Sequence, residues 1–204
     1  MVNEDEWNLK TAMDMMYQNQ VVNLSGFRWG GVDDLSGRVC IEYDEDNFYF
    51  AAIMKDDVFC QPHNDYFIWK GDGIQFGTAY TRANGNELST AFSELSFALT
   101  EEGEKIFMTI GEDVTFKVGE MNQEELGIEC KIKREGNITS YELKLPRVAF
   151  TPLEAVFEEG KNIAFSMLVN DNDGLGRKGW LEYASGIGMT KNVTLFTFLK
   201  MIRK

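Results

Sequence analysis

Arg38-Val39-Cys40-Ile41-Glu42-Tyr43-Asp44-Glu45-Asp46-Asn47-Phe48-Tyr49-Phe50-Ala51-Ala52-Ile53-Met54 is the stretch whose reading decides the fold class. Val39, Ile41 and Tyr43 alternate with Arg38, Cys40 and Glu42, the period of two that a strand shows when one face packs in a core and the other meets water. Asp44 to Asn47 is a run of turn-forming residues. Phe48 to Met54 is then an unbroken apolar segment of strand length. The reading is a hairpin with one half-buried and one fully buried arm.

The same pattern continues outward. Gly73 to Ala79 leads through the Gly/Asn-rich loop TRANGNEL (81–88) to Phe92–Leu99, and Lys105–Ile110, Val114–Val118, Ile128–Lys133 and Ile138–Leu145 follow with turns between them. Ile163–Val169, Trp180–Tyr183 and Thr194–Ile202 complete the series. Short strands at this spacing, with little helix between them, predict an all-β, antiparallel β-sandwich of about ten strands. One short helix is predicted near 152–160, because Thr151 suits an N-cap, Pro152 the first helical position, Glu154 the capping box and Gly160 the C-terminal stop. A second helix is read over Trp7–Gln20 from the spacing of Leu9, Ala12, Met13, Met16 and Tyr17. With 204 residues, three prolines and no break in composition, residues 21–204 read as one domain. Residues 1–20 read as an extension, packed on the core or loosely attached.

Charge limits the partners. The 33 Asp and Glu against 20 Lys and Arg give a formal charge of -13, which repels phosphate backbones and anionic headgroups. Nucleic acid and membrane surfaces are therefore not expected as partners; a neutral ligand or a cation is. Met1–Lys10 is polar and acidic, unlike a secretory leader, so the protein reads either as cytosolic or as a chain whose leader lies outside this sequence. Cys40, Cys60 and Cys130 are odd in number and widely spaced, and read as buried thiols, one bridge being the alternative.

The chemistry-bearing residues point to binding rather than catalysis. His63 is the single histidine, and nothing around it resembles a nucleophile elbow. Trp69 precedes Lys70-Gly71-Asp72-Gly73 and Trp180 follows Gly179, each at a strand end where loops begin. An indole face offers apolar area to the C–H face of a pyranose, while neighbouring amides, guanidinium groups and carboxylates bind its hydroxyls. Counting from Asp171, Asp173 and Glu182 hold positions 1, 3 and 12 of a calcium loop, with Gly176 at position 6 but Leu175 where an oxygen ligand belongs. These acids are candidate ligands of a structural calcium ion.

Taken in order, Trp29-Gly30-Gly31 with Asp34-Leu35-Ser36, YDEDNFYFAAIMKDDVF (43–59), WKGDGIQF (69–76), LPRVAFTPLEAVFEEG (145–160) and FSMLVNDNDGLGRKGWLEYASGIG (165–188) with Lys191 resemble the family 9 carbohydrate-binding modules and the wider DOMON-like β-sandwiches. The resemblance implies a noncatalytic, secreted or cell-surface module that holds a plant-wall polysaccharide such as xylan or cellulose, often linked covalently to a glycoside hydrolase, with calcium as a structural support. By motif, Trp69 corresponds to one of two Trp rings that clamp a sugar, Gln75 to a position that is often Glu, and Arg177 to a sugar-binding Arg. The second clamp falls near Thr190 or Lys191, where no aromatic residue stands, and Trp180 is the candidate replacement. The expected sugar site is therefore Trp69, Asp72, Gln75, Arg177 and Trp180, with Glu94 and Lys191 beside them. One ring face covered by a sugar removes about 100 Å² of apolar surface, roughly 2 to 3 kcal/mol before association costs, so binding near millimolar is expected. Two other readings stay open: a haem domain using His63 and a methionine, as some DOMON-like sandwiches do, with no haem expected here, and a structural or interaction domain whose sugar site is filled.

Overall fold

The computed structural model describes residues 7, 11–24, 28–80, 92–111, 118–147, 159–160 and 162–200. The quoted hairpin is present as β3 (Leu35–Tyr43) and β4 (Asn47–Asp56), in register from Leu35 opposite Asp56 to Tyr43 opposite Phe48. Its turn is fixed by Asp44, whose carboxylate Oδ1 accepts from the Asp46 and Asn47 backbone N–H groups. The second arm is not wholly buried. Phe48, Phe50, Ala52 and Met54 point inward while Tyr49 and Ile53 remain half-exposed, because only one face of this sheet is covered.

Thirteen strands among the described residues form two antiparallel sheets. One sheet has the order β1-β3-β4-β10-β9, with β1 Met13–Met15, β9 Glu129–Glu135 and β10 Ile138–Pro146. The other runs β2-β12-β11-β5-β6-β7-β8, with β13 paired to β11. Its strands are β2 Val21–Asn23, β5 Gly73–Tyr80, β6 Ser93–Thr100, β7 Gly103–Gly111, β8 Gly119–Glu120, β11 Asn162–Asp171, β12 Gly179–Ala184 and β13 Thr197–Lys200. The sandwich core lies between the sheets. Phe50 of the first sheet meets Phe97 edge-on at 5.3 Å and Phe76 at 5.7 Å across the gap, all three rings sealed from solvent. Each such ring contributes roughly 1.5 to 3 kcal/mol by burial alone.

The helix read over Trp7–Gln20 is corrected. Met13–Met15 pairs with Val39 to Gly37 as an edge strand, and Met15 is wholly buried. The Gln20 amide takes the backbone bonds that a helix would have used: its Oε1 accepts from Met16 N and Tyr17 N, and its Nε2 donates to the Asp14 carbonyl. That fold-back turns the chain out of the first sheet and into β2 of the second. The predicted helix near 152–160 lies almost entirely outside the described residues, as does the strand read at Val114–Val118, of which Val118 alone is described. The short helix that is described, α1 (Gln123–Leu126), is capped by Asn122. No helix among the described residues is long and apolar enough to cross a membrane.

The larger sheet has a second packed face. Ala79, Ala164, Leu168 and Trp180 point away from the sandwich core and are covered by Ile187, Val193 and Phe196 of the segment after β12. This cover can lie close because Gly77 has no side chain: a Cβ there would stand 2.9 Å from both Ile187 and Phe196. Neighbouring polar positions on the same outer face, Gln75, Glu94 and Thr109, are left at the margin of this cover.

Candidate functional site

The site is assembled on that margin by alternation along the strands. On β5, Ile74 and Phe76 enter the sandwich core, so Gln75 between them must face outward. Glu94 on β6 and Thr109 on β7 emerge beside it. Glu94 Oε1 accepts from Gln75 Nε2 at 2.9 Å and from the Thr109 hydroxyl at 3.0 Å, while its Oε2 accepts from Lys191 Nζ at 2.6 Å. Lys191 also donates to the Ile187 carbonyl at 2.6 Å, pinning the covering segment to the sheet. Glu94 is 1% exposed, a buried carboxylate matched by one ammonium and two neutral donors.

Trp69 is brought over this floor by a tight 3-10 turn, Tyr66–Lys70. Asp65 caps the turn through Phe67 N, and the buried Gln61 amide donates to the carbonyls of Ile68 and Asp72 at 2.8 Å each. Residues three apart eclipse in such a turn, so Tyr66 and Trp69 share a face while Ile68 is buried. Tyr66 is 41% exposed and Trp69 half-buried, and both line a hollow of about 220 Å³ whose floor includes Gln75, Glu94, Arg177 and Lys191. On the other side of Trp69 and Arg177 lies a second hollow of about 320 Å³, walled by Lys70, His63, Cys60 and Asn172. No methionine is among the described residues lining it.

Arg177 comes from the loop between β11 and β12. Its Nε donates to Asn170 Oδ1 at 2.8 Å and an Nη2–H reaches Gln75 Oε1 at 3.4 Å. The guanidinium carbon lies 4.1 Å over the Trp180 ring and 5.5 Å from the Trp69 ring centroid. Burial pulls its pKa down to about 10 against the opposing pull of Glu94.

Five of the predicted sugar-site residues are thus brought together: Trp69, Gln75, Glu94, Arg177 and Lys191. Two are not. Trp180 is 2% exposed, covered by Arg177 and by Gly188, where a Cβ would stand 2.5 Å from the indole Cζ2, and its Nε1 donates to Glu182 Oε2. The alternation along β12 turns it into the second core, so it offers no free face to a sugar. Asp72 is turned inward: Oδ1 accepts from Asn172 N and Oδ2 from Cys60 N, tying the 3-10 turn to the β11–β12 loop. Burial and the nearby Asp56 push its carboxyl up to about 9. Tyr66, which the sequence does not single out, also lines the first hollow; its signal is the three-residue spacing to Trp69, legible only once a 3-10 turn is known.

The predicted calcium ligands part company. Glu182 binds Trp180 and Ser185, whereas Asp171 and Asp173 converge instead with Asp34, the ligand atoms of these three acids lying within 4.8 Å of one another. At their centre is Lys178, whose ammonium bonds Asp34 and lies 3.0 Å from Asp173 Oδ2 and 3.4 Å from Asp171 Oδ2. Burial opposes the Lys178 charge, but the bonds to Asp34 and Asp173 hold its pKa above the ordinary value. Burial likewise pushes Asp171 up to about 7, against Lys178, and Asp171 Oδ1 and Asp173 Oδ1 have no hydrogen-bond partner among the described residues. Calcium takes about six to eight oxygens and no ammonium beside it, so these residues do not fit calcium with Lys178 in place. The three cysteines are free thiols; Cys40 and Cys130 are buried, but Cys60, at the rim of the second hollow, is only half-buried.

Comparison with known proteins gives a consistent result. A family model described as "Carbohydrate family 9 binding domain-like" matches residues 6–201. Among solved structures, a family 9 carbohydrate-binding module from Caldicellulosiruptor kristjanssonii in complex with cellotriose superposes with a TM-score of 0.63 at 12% identity, over 100% of this chain and 88% of that one. A family 9 module from the same organism in complex with glucose gives a TM-score of 0.56 at 14% identity, over 91% and 86% of the two chains. At such identities the likeness establishes the fold. No curated protein sequence matches the chain.

Proposed function

Because the chain belongs to the carbohydrate family 9 binding domain-like family, we propose that it is a noncatalytic module that holds a glycan in the hollow between Trp69, Arg177 and Glu94. The observation that carries this reading is the half-buried Trp69 ring held by its 3-10 turn above a floor of hydrogen-bonding side chains. A sugar needs an apolar plate for its C–H face and fixed donors and acceptors for its hydroxyls, and this hollow supplies both. The floor is pre-organised, since Gln75, Glu94, Thr109 and Lys191 are already bonded to one another, which limits the ordering cost on binding.

Tyr66 supplies a second aromatic surface where Trp180 cannot. A plate and a partial second ring place the affinity for a short neutral oligosaccharide at roughly 0.1 to 1 mM. Cellotriose and glucose, the ligands of the two related modules, are the first probes. The module's setting follows from this reading: outside the cell, alongside a glycoside hydrolase whose substrate it retains. Intrinsic tryptophan fluorescence, titrated with cello-, xylo- and manno-oligosaccharides, tests the proposal. A saturable change that is lost in Trp69→Ala is expected; no response to these three neutral series or to uronic-acid oligosaccharides defeats it.

A further inference from the structure

Resting on that sugar-binding reading, we propose that the site takes an acidic sugar, a pyranose bearing a carboxylate, and that Arg177 is the group that reads the charge. The chain as a whole carries a formal -13, yet the side chains lining the two hollows that meet at Trp69 include Lys70, Arg177 and Lys191 against a single carboxylate, Glu94. A local excess of cations in an acidic protein concentrates anionic ligands at that spot.

The one carboxylate is already committed. Glu94 spends Oε1 on Gln75 and Thr109 and Oε2 on Lys191, so its hydrogen bonds are used up and Arg177 feels its charge only through space. Arg177 makes no ion pair among the described residues. Two of its N–H groups meet the neutral amide oxygens of Asn170 and Gln75, the latter at a long 3.4 Å, and Nη1 makes no hydrogen bond among them. A partly desolvated guanidinium of this kind favours an anionic acceptor over a hydroxyl. Charge-assisted hydrogen bonds are about twice as strong as neutral ones, and the planar fork matches a carboxylate through two parallel N–H groups.

Position fits the chemistry. Arg177 lines both hollows and its guanidinium carbon is 5.5 Å from the centroid of the Trp69 ring, so a pyranose stacked on Trp69 has its ring substituents within reach of the fork. Lys70, whose ammonium lies 5.3 Å from the Trp69 ring centroid, adds a second cation on the side of the larger hollow.

The test pairs each acidic probe with a neutral counterpart of the same length: trigalacturonate with its methyl ester, and a xylotriose carrying a glucuronosyl branch with unbranched xylotriose. The expected result is an acidic probe bound roughly tenfold more tightly than its counterpart at low salt, with the advantage shrinking in about 1 M NaCl, where the Debye length falls to about 3 Å. Arg177→Met retains apolar volume against Trp180 and is expected to erase the advantage while neutral binding falls less. Should that variant unfold, Lys70→Met, at a half-exposed position, is expected to reduce the same advantage. Equal or weaker binding of both acidic probes, with the neutral ones still bound, overturns the acidic-sugar inference and leaves the module's sugar binding standing. Failure of acidic and neutral probes alike overturns both.

Discussion

Arg177 stands with its guanidinium carbon 4.1 Å above the ring centroid of Trp180. This contact decides which tryptophan is available to a ligand. A guanidinium over an indole face is attracted by the ring quadrupole, worth about 2 kcal/mol when desolvated, and it blocks that face to anything else. Trp180 therefore orients Arg177, and Arg177 in turn faces the hollow beside Trp69. Trp69 keeps part of its ring exposed beside the hollow, and Trp180 supports the guanidinium next to it.

The two tryptophans should separate cleanly on substitution. Trp69→Ala removes the plate and is expected to weaken oligosaccharide binding by roughly 2 to 3 kcal/mol, with thermal stability nearly unchanged because the ring is only half-buried. Trp180→Ala opens a void in the second core and is expected to cost about 3 to 5 kcal/mol in unfolding free energy. Denaturant melts and fluorescence titrations on both variants check this. A Trp180 variant as stable as the parent contradicts the packing described here.

Glu94 is expected to hold the floor of the site together. Glu94→Ala strands Gln75 Nε2 and frees Lys191, while the Thr109 hydroxyl keeps its bond to the residue 94 carbonyl; the buried amide left unsatisfied costs about 1 to 3 kcal/mol. Glu94→Gln keeps the shape and loses the charge that fixes Lys191, so it should harm binding more than stability. Thermal unfolding and titration of the two variants side by side distinguish these effects. If Glu94→Ala unfolds no earlier than the parent, the network does not carry this weight.

Why these relationships were only half-visible in the sequence has a physical reason. The β3–β4 hairpin was legible because period-two alternation and an Asp/Asn turn leave few alternatives. The motifs around Trp69, Gln75 and Arg177 are what single these residues out, and they line one hollow. Trp180 and Asp72 were misplaced because a ring or a carboxylate beside a loop reads the same in sequence whether it faces solvent or the layer beneath. The second core on the outer sheet face depends on Gly77 and on contacts between β11 and the segment after β12, which no local pattern encodes. The Met13–Met15 strand is hidden for a similar reason: apolar residues three or four apart fit a helix, and the Gln20 side chain that captures the backbone of Asp14, Met16 and Tyr17 is invisible to periodicity.

The acidic network sets a pH dependence with a definite sign. Burial raises Asp56 to about 6, opposed by Arg134; burial raises Asp171 to about 7, opposed by Lys178; and Asp72 is raised to about 9. A carboxyl whose pKa is higher folded than unfolded binds more protons in the folded state. Its stabilising contribution is complete below pH about 4 and is lost as pH rises through the folded value. Stability should therefore increase on acidification from pH 8.5 to pH 5.5. Each kcal/mol gained corresponds to roughly 2 to 4 °C for a chain of this size. Melting curves across that interval test it, and a melting temperature that is flat or falls toward pH 5.5 shows these carboxyls to be better paired than the geometry indicates.

Lys178 is expected to play the part of a cation built into the chain. Its ammonium, with the side chain 8% exposed, is shared by Asp34, Asp171 and Asp173, two of which keep an unpartnered oxygen. With the lysine present, millimolar calcium or a chelator should leave the melting temperature unchanged, because a divalent ion would have to displace a buried ammonium from the same oxygens. Lys178→Met leaves three carboxylates facing one another and is expected to cost about 3 to 5 kcal/mol. It also vacates the centre of an all-oxygen cluster, so calcium should now raise the melting temperature, by about 2.7 kcal/mol of stability at a hundred times its dissociation constant. Lys178→Arg keeps the charge and should show no calcium response. A parent protein that loses stability in chelator would show that a metal ion, and not the lysine, neutralises these acids.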